Sequence, residues 1–121
     1  MYRISVEGHY DAAHALRGYM GKCENLHGHR FKVVARIRTD ELDDIGLAYD
    51  FRELRQKLNA VLERFDHVNV SEIPPFDRLN PSSENMARVI FEALAPELSG
   101  VTLDAVEVWE SPESCAEYRE D

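Results

Sequence analysis

Apolar and polar positions first alternate along the chain and then change period. Tyr2, Ile4, Val6, Gly8, Tyr10 and Ala12 fall on one parity, and Arg3, Ser5, Glu7 and His9 on the other. A period of two predicts a half-buried strand, with His14 continuing the apolar face and His9 on the surface. Phe31, Val33, Ala35 and Ile37 alternate with Lys32, Val34, Arg36 and Arg38 in a second strand that ends at Thr39-Asp40. His27 and His29 share the parity of Phe31. The two strands are consecutive and read as antiparallel neighbours, which brings His14 near His27 and His29.

From Asp50 the period becomes helical, with Leu54, Leu58, Val61, Leu62 and Phe65 on one stripe. Asp50 is a candidate N-cap, and Glu53 stands in the capping-box position. The helix is expected to finish near Asp66-His67. A histidine in its last turn would feel the negative end of the dipole, with the adjacent aspartate to orient the ring or pair with it. Residues 68–80 read as a loop around Pro74-Pro75. A second helix is expected with Asn80 as cap and Pro81 at its first position. It carries Glu84 in the first turn, a core stripe of Met86, Val89, Ile90, Ala93 and Leu94, and Pro96 and Gly100 bracketing its end. Val101 to Glu110 is strand-like, Ser111-Pro112-Glu113 is a turn, and Cys115 to Tyr118 is a short last strand. Two strands, two helices and two strands predict an α+β fold, an antiparallel sheet with both helices on one face. Four strands leave open edges, which need blunting or pairing with another subunit.

Composition narrows the classes. At 121 residues, 44% hydrophobic and 31% charged, residues 1–121 read as one globular domain able to bury a core without staples. A net charge of −9 argues against non-specific nucleic-acid binding and against an anionic membrane surface. A local cluster of Lys and Arg can still receive an anionic small substrate. No apolar run approaches the length of a membrane span, and Met1 to Glu7 lacks a signal-peptide core, so a cytosolic location is expected. Cys23 and Cys115 could pair in principle. In a reducing compartment a cysteine beside a histidine cluster points instead to metal binding or catalysis, and Cys115 reads as a packing or edge residue.

The densest chemistry is Cys23-Glu24-Asn25-Leu26-His27-Gly28-His29, with His14 upstream. Residues i and i+2 of an extended chain project from one face, so His27 and His29 can converge, and Gly28 between them would admit a close approach. With His14 they form a three-histidine set, the usual catalytic zinc arrangement with one open position. Cys23 is near enough to be a fourth ligand or a reacting thiol. Glu110 ends an otherwise apolar strand face, and a carboxylate there asks for a cationic or multi-donor partner.

Ala13-His14, Gly21-Lys22-Cys23, Leu26-His27-Gly28-His29, Asp50-Phe51-Arg52-Glu53-Leu54, Asp66-His67, Asn80-Pro81-Ser82-Ser83-Glu84-Asn85 and Val108-Trp109-Glu110-Ser111 follow one another in an order that closely resembles the 6-pyruvoyl-tetrahydropterin synthase / 6-carboxytetrahydropterin synthase family, across essentially the whole chain. The resemblance implies the tunnelling fold, in which subunits join their sheets edge to edge into barrels, commonly as a homohexamer of two trimers with active sites at subunit interfaces. It implies Zn2+ held by His14, His27 and His29, and a catalytic group of Cys23, Asp66 and His67. It also implies that Glu110 anchors a pterin, helped by Ser82, Ser83 and Glu84; Ser82 stands where the family commonly has Thr and keeps the hydroxyl. The implied substrate is 7,8-dihydroneopterin triphosphate, with Lys22 and Arg30 the positional candidates for its phosphates.

Each role suits its residue type. A carboxylate can accept two adjacent pterin N–H groups. Cys23 near a metal would have a lowered pKa and could act as a base, with His67, oriented by Asp66, moving the second proton. The three residues between Cys23 and His27 form a short loop that looks like the bacterial 6-carboxytetrahydropterin synthases of queuosine biosynthesis. Such an enzyme would release acetaldehyde and triphosphate in a retro-aldol-type step. A pyruvoyl synthase, which eliminates triphosphate and keeps the side-chain carbons, is the alternative enzyme. A non-catalytic pterin- or metal-binding module is the alternative of a different class. Members that feed folate synthesis typically carry Glu in place of this cysteine, so Cys23 argues against that branch.

Overall fold

The computed structural model describes residues 1–15, 17–18 and 27–120, with the side chain of His27 outside that description. Its elements are β1 (Tyr2–His14), β2 (His27–Thr39), α1 (Phe51–Leu62), α2 (Ser83–Leu94), β3 (Thr102–Ser111) and β4 (Ser114–Tyr118). The four strands form one antiparallel sheet in the order β1-β2-β3-β4. This is the expected α+β order, with both helices over one face.

Alternation decides which face they cover. On β1, Val6, Gly8, Tyr10, Ala12 and His14 are buried while Ser5, Glu7, His9 and Asp11 are exposed. Together with Phe31, Val33, Ala35 and Ile37 of β2 and Val106 and Val108 of β3, that face meets Leu54, Leu58 and Leu62 of α1 and Met86, Ile90 and Leu94 of α2 in one continuous core. The closest helix–sheet approach lies at Gly8. A Cβ there would stand 2.8 Å from Leu62 Cδ1 and 2.9 Å from Asn59 Oδ1. Asn59 is exposed and can move, but Leu62 is buried and cannot yield without repacking.

The helix starts follow from side-chain caps. Asp50 accepts from the Arg52 amide at 2.8 Å, and Glu53 forms an ion pair with Lys57 one turn on. The second helix differs from expectation, because it starts at Ser83 rather than Pro81 and its cap is Ser82 rather than Asn80. Ser82 Oγ accepts from the Asn85 amide at 3.2 Å, whereas the Asn80 side chain is committed elsewhere. Its buried stripe is rotated to include Ala87 and Phe91. The first helix also ends earlier than expected. Regular α-helix stops at Leu62, and Glu63–Phe65 form a 3-10 turn. His67 therefore lies beyond the last turn rather than in it, with a left-handed φ of 57°.

That reversal sends residues 66–69 along the outer edge of β1. The His67 amide donates to Asp11 O, the Ala13 amide donates to Val68 O, and Ala13 bridges Asn69 in parallel. The edge from Arg3 to His9 has no such cover among the described residues. At the other end of the sheet, Arg36 pairs with Ala105 and Ile37 with Leu103, so Asp104 is the extra residue of a bulge. Its buried carboxylate is ringed by Arg3, Arg38 and Arg119 at 2.7, 3.3 and 3.6 Å.

The contact at Gly8 gives a direct test. Gly8→Ala should lower stability by roughly 1–2 kcal/mol through overpacking against Leu62. Urea unfolding should show this as a lower midpoint with an unchanged slope; an unchanged midpoint would mean that α1 sits farther from β1 than described.

Candidate functional site

The β1–β2 register sets His27 opposite His14 and His29 opposite Ala12, so all three histidine positions fall at one end of the sheet. His14 is 3% exposed. Its Nδ1 lies 3.1 Å from the carbonyl oxygen of Pro81, which can only accept, so Nδ1 carries a proton and Nε2 is the nitrogen that remains to meet a metal. Glu110, from the end of β3, brings Oε1 to 3.4 Å from His14 Nε2 and 3.6 Å from His29 Nε2. The His14 and His29 rings meet edge-on at 5.6 Å, and both pack edge-on against Phe31.

A metal fits this donor set. The ligand atoms of His14, His29 and Glu110 lie within 4.8 Å of one another. A carboxylate oxygen and an imidazole lone pair facing each other at such distances repel unless a proton or a cation lies between them. A cation held there would supply the partner that a carboxylate at an apolar strand end demands. The sequence indicated only that Glu110 needed a partner; its meeting with the histidines depends on the β2–β3 register. Beneath it, the Tyr10 hydroxyl is buried with no hydrogen-bond partner among the described residues. Burial first, and the Glu110 charge second, push the phenol far up from its ordinary pKa.

A second cluster flanks the first. Asp66 Oδ1 accepts from the Asp11 amide at 2.8 Å, and Asp66 Oδ2 lies 3.0 Å from His67 Nδ1. The expected pairing of Asp66 with His67 is present, set up by edge hydrogen bonds and a left-handed residue rather than by a helix end. Asp11 joins this group and also faces Arg30 at 3.8 Å. It was missed in the sequence because its signal is only an exposed parity on β1. The Asp11 amide chiefly, and His67 as well, hold the Asp66 carboxyl below its usual pKa against a smaller opposing effect of burial.

A cavity of about 510 Å3 is walled by Asp11 and His67 of the second cluster together with Gly28, Arg30 and, from the first cluster, His29. A Cβ on Gly28 would meet nothing nearer than Ala12 O at 3.9 Å, so within the described chain this glycine is not needed for a close approach. On the other side of Glu110 a smaller hollow of about 160 Å3 is lined by Ser83, Glu84, Glu110 and Cys115. Ser82 lies just before it with its oxygen accepting the cap hydrogen bond. Cys115 is an exposed strand residue, as expected of an edge position. Lys22 and Cys23 lie outside the described residues, as does the His27 side chain. A further cavity of about 500 Å3 at the Thr39–Gly100 end of the sheet contains no histidine or cysteine.

Comparison with known proteins agrees with this geometry. Residues 3–121 match the family described as 6-pyruvoyl tetrahydropterin synthase, and the chain belongs to that family. It is 31% identical to the 6-carboxy-5,6,7,8-tetrahydropterin synthase of Haemophilus influenzae, with 99% of this chain and 100% of the relative covered. It is 32% identical to the dihydroneopterin monophosphate aldolase of Pyrococcus furiosus, covering 92% and 91%. The solved structure of Caenorhabditis elegans 6-pyruvoyl tetrahydropterin synthase superposes with a TM-score of 0.88 at 27% identity, covering 99% of this chain and 96% of the other. The fold is the tunnelling fold of these structures.

The depressed Asp66 pKa has a measurable consequence. A carboxyl lowered on folding contributes stability above its unfolded value of about 3.9, and that contribution is lost as pH falls through the lower folded value. The melting temperature of the unmodified chain should therefore fall more steeply than that of Asp66→Asn on acidification below about pH 4. Parallel acid limbs would contradict the Asp11–Asp66 hydrogen bond.

Proposed function

We propose that this chain is a zinc-dependent 6-carboxy-5,6,7,8-tetrahydropterin synthase, acting on 7,8-dihydroneopterin triphosphate with release of acetaldehyde and triphosphate. The observation that carries it is the convergence of His14, His29 and Glu110, with His29 also lining a cavity that His67 lines. That arrangement supports a metal site and a proton-transferring group that serve one ligand. His14, His27 and His29 would hold the zinc, leaving one position open. Bound there, zinc would lower the pKa of the substrate's side-chain hydroxyls and stabilise negative charge developing on them.

The remaining work falls to the chain's own groups. Cys23 is the proposed base, and His67, oriented by Asp66, the partner that takes or returns the second proton. Glu110 borders both the histidines and the smaller hollow beside Ser83 and Glu84. With the histidines engaged by a cation, its carboxylate is free to turn and accept two pterin N–H groups. Ser82, Ser83 and Glu84 complete that pterin site. Arg30, which borders the cavity, and Lys22 are the proposed phosphate contacts. The uncovered edges of β1, from Arg3 to His9, and of β4 are proposed to pair between copies of the chain, giving a homo-oligomer built from shared sheets.

The similarity to a carboxy synthase that spans nearly all of both chains supports the carbon–carbon cleavage reading, and a relative named as an aldolase is compatible with it. The structural likeness to a pyruvoyl synthase keeps triphosphate elimination as the second reading. Incubation with dihydroneopterin triphosphate followed by mass analysis decides between them. The carboxy product with stoichiometric acetaldehyde is expected. A product retaining all three side-chain carbons would transfer the assignment to the pyruvoyl reaction, and no turnover at all would favour a binding module. Cys23→Ala should lower kcat by roughly 10²–10⁴ while keeping zinc, whereas retained turnover would remove Cys23 from the chemistry.

A further inference from the structure

The carbonyl that fixes His14 is itself held by a hydrogen-bonded clamp. Asn80 and Arg17, sixty-three residues apart in sequence, grip each other twice. The Arg17 amide donates to Asn80 Oδ1 at 2.9 Å, and Asn80 Nδ2 donates to Arg17 O at 2.8 Å. The Arg17 guanidinium then donates through Nη2 to the carbonyls of Phe76 and Leu79 at 2.9 and 2.8 Å. Asn80 O accepts from Asn85 Nδ2 at 2.9 Å, and Ser82 is locked as the cap of α2. Pro81 therefore sits between two residues whose peptide groups are tied down, and its own φ is set by its ring. Little freedom remains for its carbonyl, which points at His14 Nδ1.

We propose that Arg17 and Asn80 are positioning residues for the metal site, acting through the Pro81 carbonyl on His14. The inference rests on the zinc reading above and deepens it. A backbone carbonyl on the far nitrogen of a ligating imidazole fixes both its tautomer and its ring plane, and loss of such outer partners typically weakens metal affinity by about 10–100-fold. A helix cap and a loop clamp would serve stability alone if His14 were an ordinary core residue. Here they converge on a carbonyl oxygen that meets His14 Nδ1 and so helps to turn Nε2 toward Glu110 and His29. The chain thereby couples the segment after β1 to the segment before α2 across the ligand histidine.

The test measures zinc affinity by competition with a chromophoric chelator in the unmodified chain, Asn80→Ala, Arg17→Ala and Arg17→Lys, beside the melting temperature of each metal-free protein. Asn80→Ala and Arg17→Ala should weaken zinc binding about 10–100-fold, with Arg17→Lys, which keeps one donor for the two carbonyls, in between. Affinities within twofold of the unmodified chain, with only melting temperatures lowered, would overturn the proposal and leave the clamp purely structural. Histidine nitrogen NMR of the unmodified zinc-loaded protein gives a second arm that needs no variant. His14 should carry its proton on Nδ1 and its metal on Nε2, and the reverse would overturn the proposal. Absence of zinc binding by the unmodified chain would instead overturn the metal reading itself, so the two failures are distinguishable.

Discussion

The antiparallel register between β1 and β2 is the constraint on which the site depends. Pairing His14 with His27 and Ala12 with His29 sets the histidine positions side by side at one end of the ladder. A slip of one residue would exchange the buried and exposed faces of β1, trading His14 for Ala13 at the core. The register is enforced by the same alternation that builds the core. Tyr10 stacks on its partner Phe31 at 4.8 Å, and Val6, Phe31, Val33 and Ala35 are all buried under the helices. Core packing and site assembly are thus one physical event.

A second feature depends on that strand. β1 needs cover on its outer edge near the site, and residues 66–69 supply it with their backbone while presenting Asp66 and His67 with their side chains. A left-handed φ at a non-glycine residue is uncommon, and here it is offset by the His67 amide bond to Asp11 O. The Asp66 side chain simultaneously accepts from the Asp11 amide, so the arrangement that sets up the Asp66–His67 pair, proposed to transfer protons, also seals the strand. The lower part of the edge, uncovered among the described residues, is where a neighbouring copy is proposed to add.

Much of this was legible in the residues, for identifiable reasons. Period-two alternation on β1 and β2 indicated the buried face and put His14 on it, because one face of the sheet is packed and the other is not. The helical stripe from Leu54 to Phe65 and the Asp50 cap were equally plain, since caps and stripes are local. What depended on pairings distant in sequence was not legible. The start of α2 at Ser83 depends on Asn80 being claimed by Arg17, a contact that no local rule foretells. The place of His67 depends on the 3-10 turn and on the edge of β1 that receives it. Glu110 was marked as needing a partner, but its meeting with His14 and His29 follows from the β2–β3 register. Motif order carried the family likeness and with it Lys22 and the catalytic role of Cys23, a thiol already marked by its place beside the histidines; both residues lie outside the described ones.

The central claim is that the histidines, and not Cys23 or Glu110, hold the metal, which leaves Cys23 for chemistry and Glu110 for the substrate. X-ray absorption at the zinc edge of the purified protein tests it most directly. The account predicts a first shell of nitrogen and oxygen only at about 2.0–2.1 Å, with imidazole outer-shell scattering from three histidines and one exchangeable oxygen. A sulfur scatterer at about 2.3 Å would make Cys23 a ligand and contradict the account.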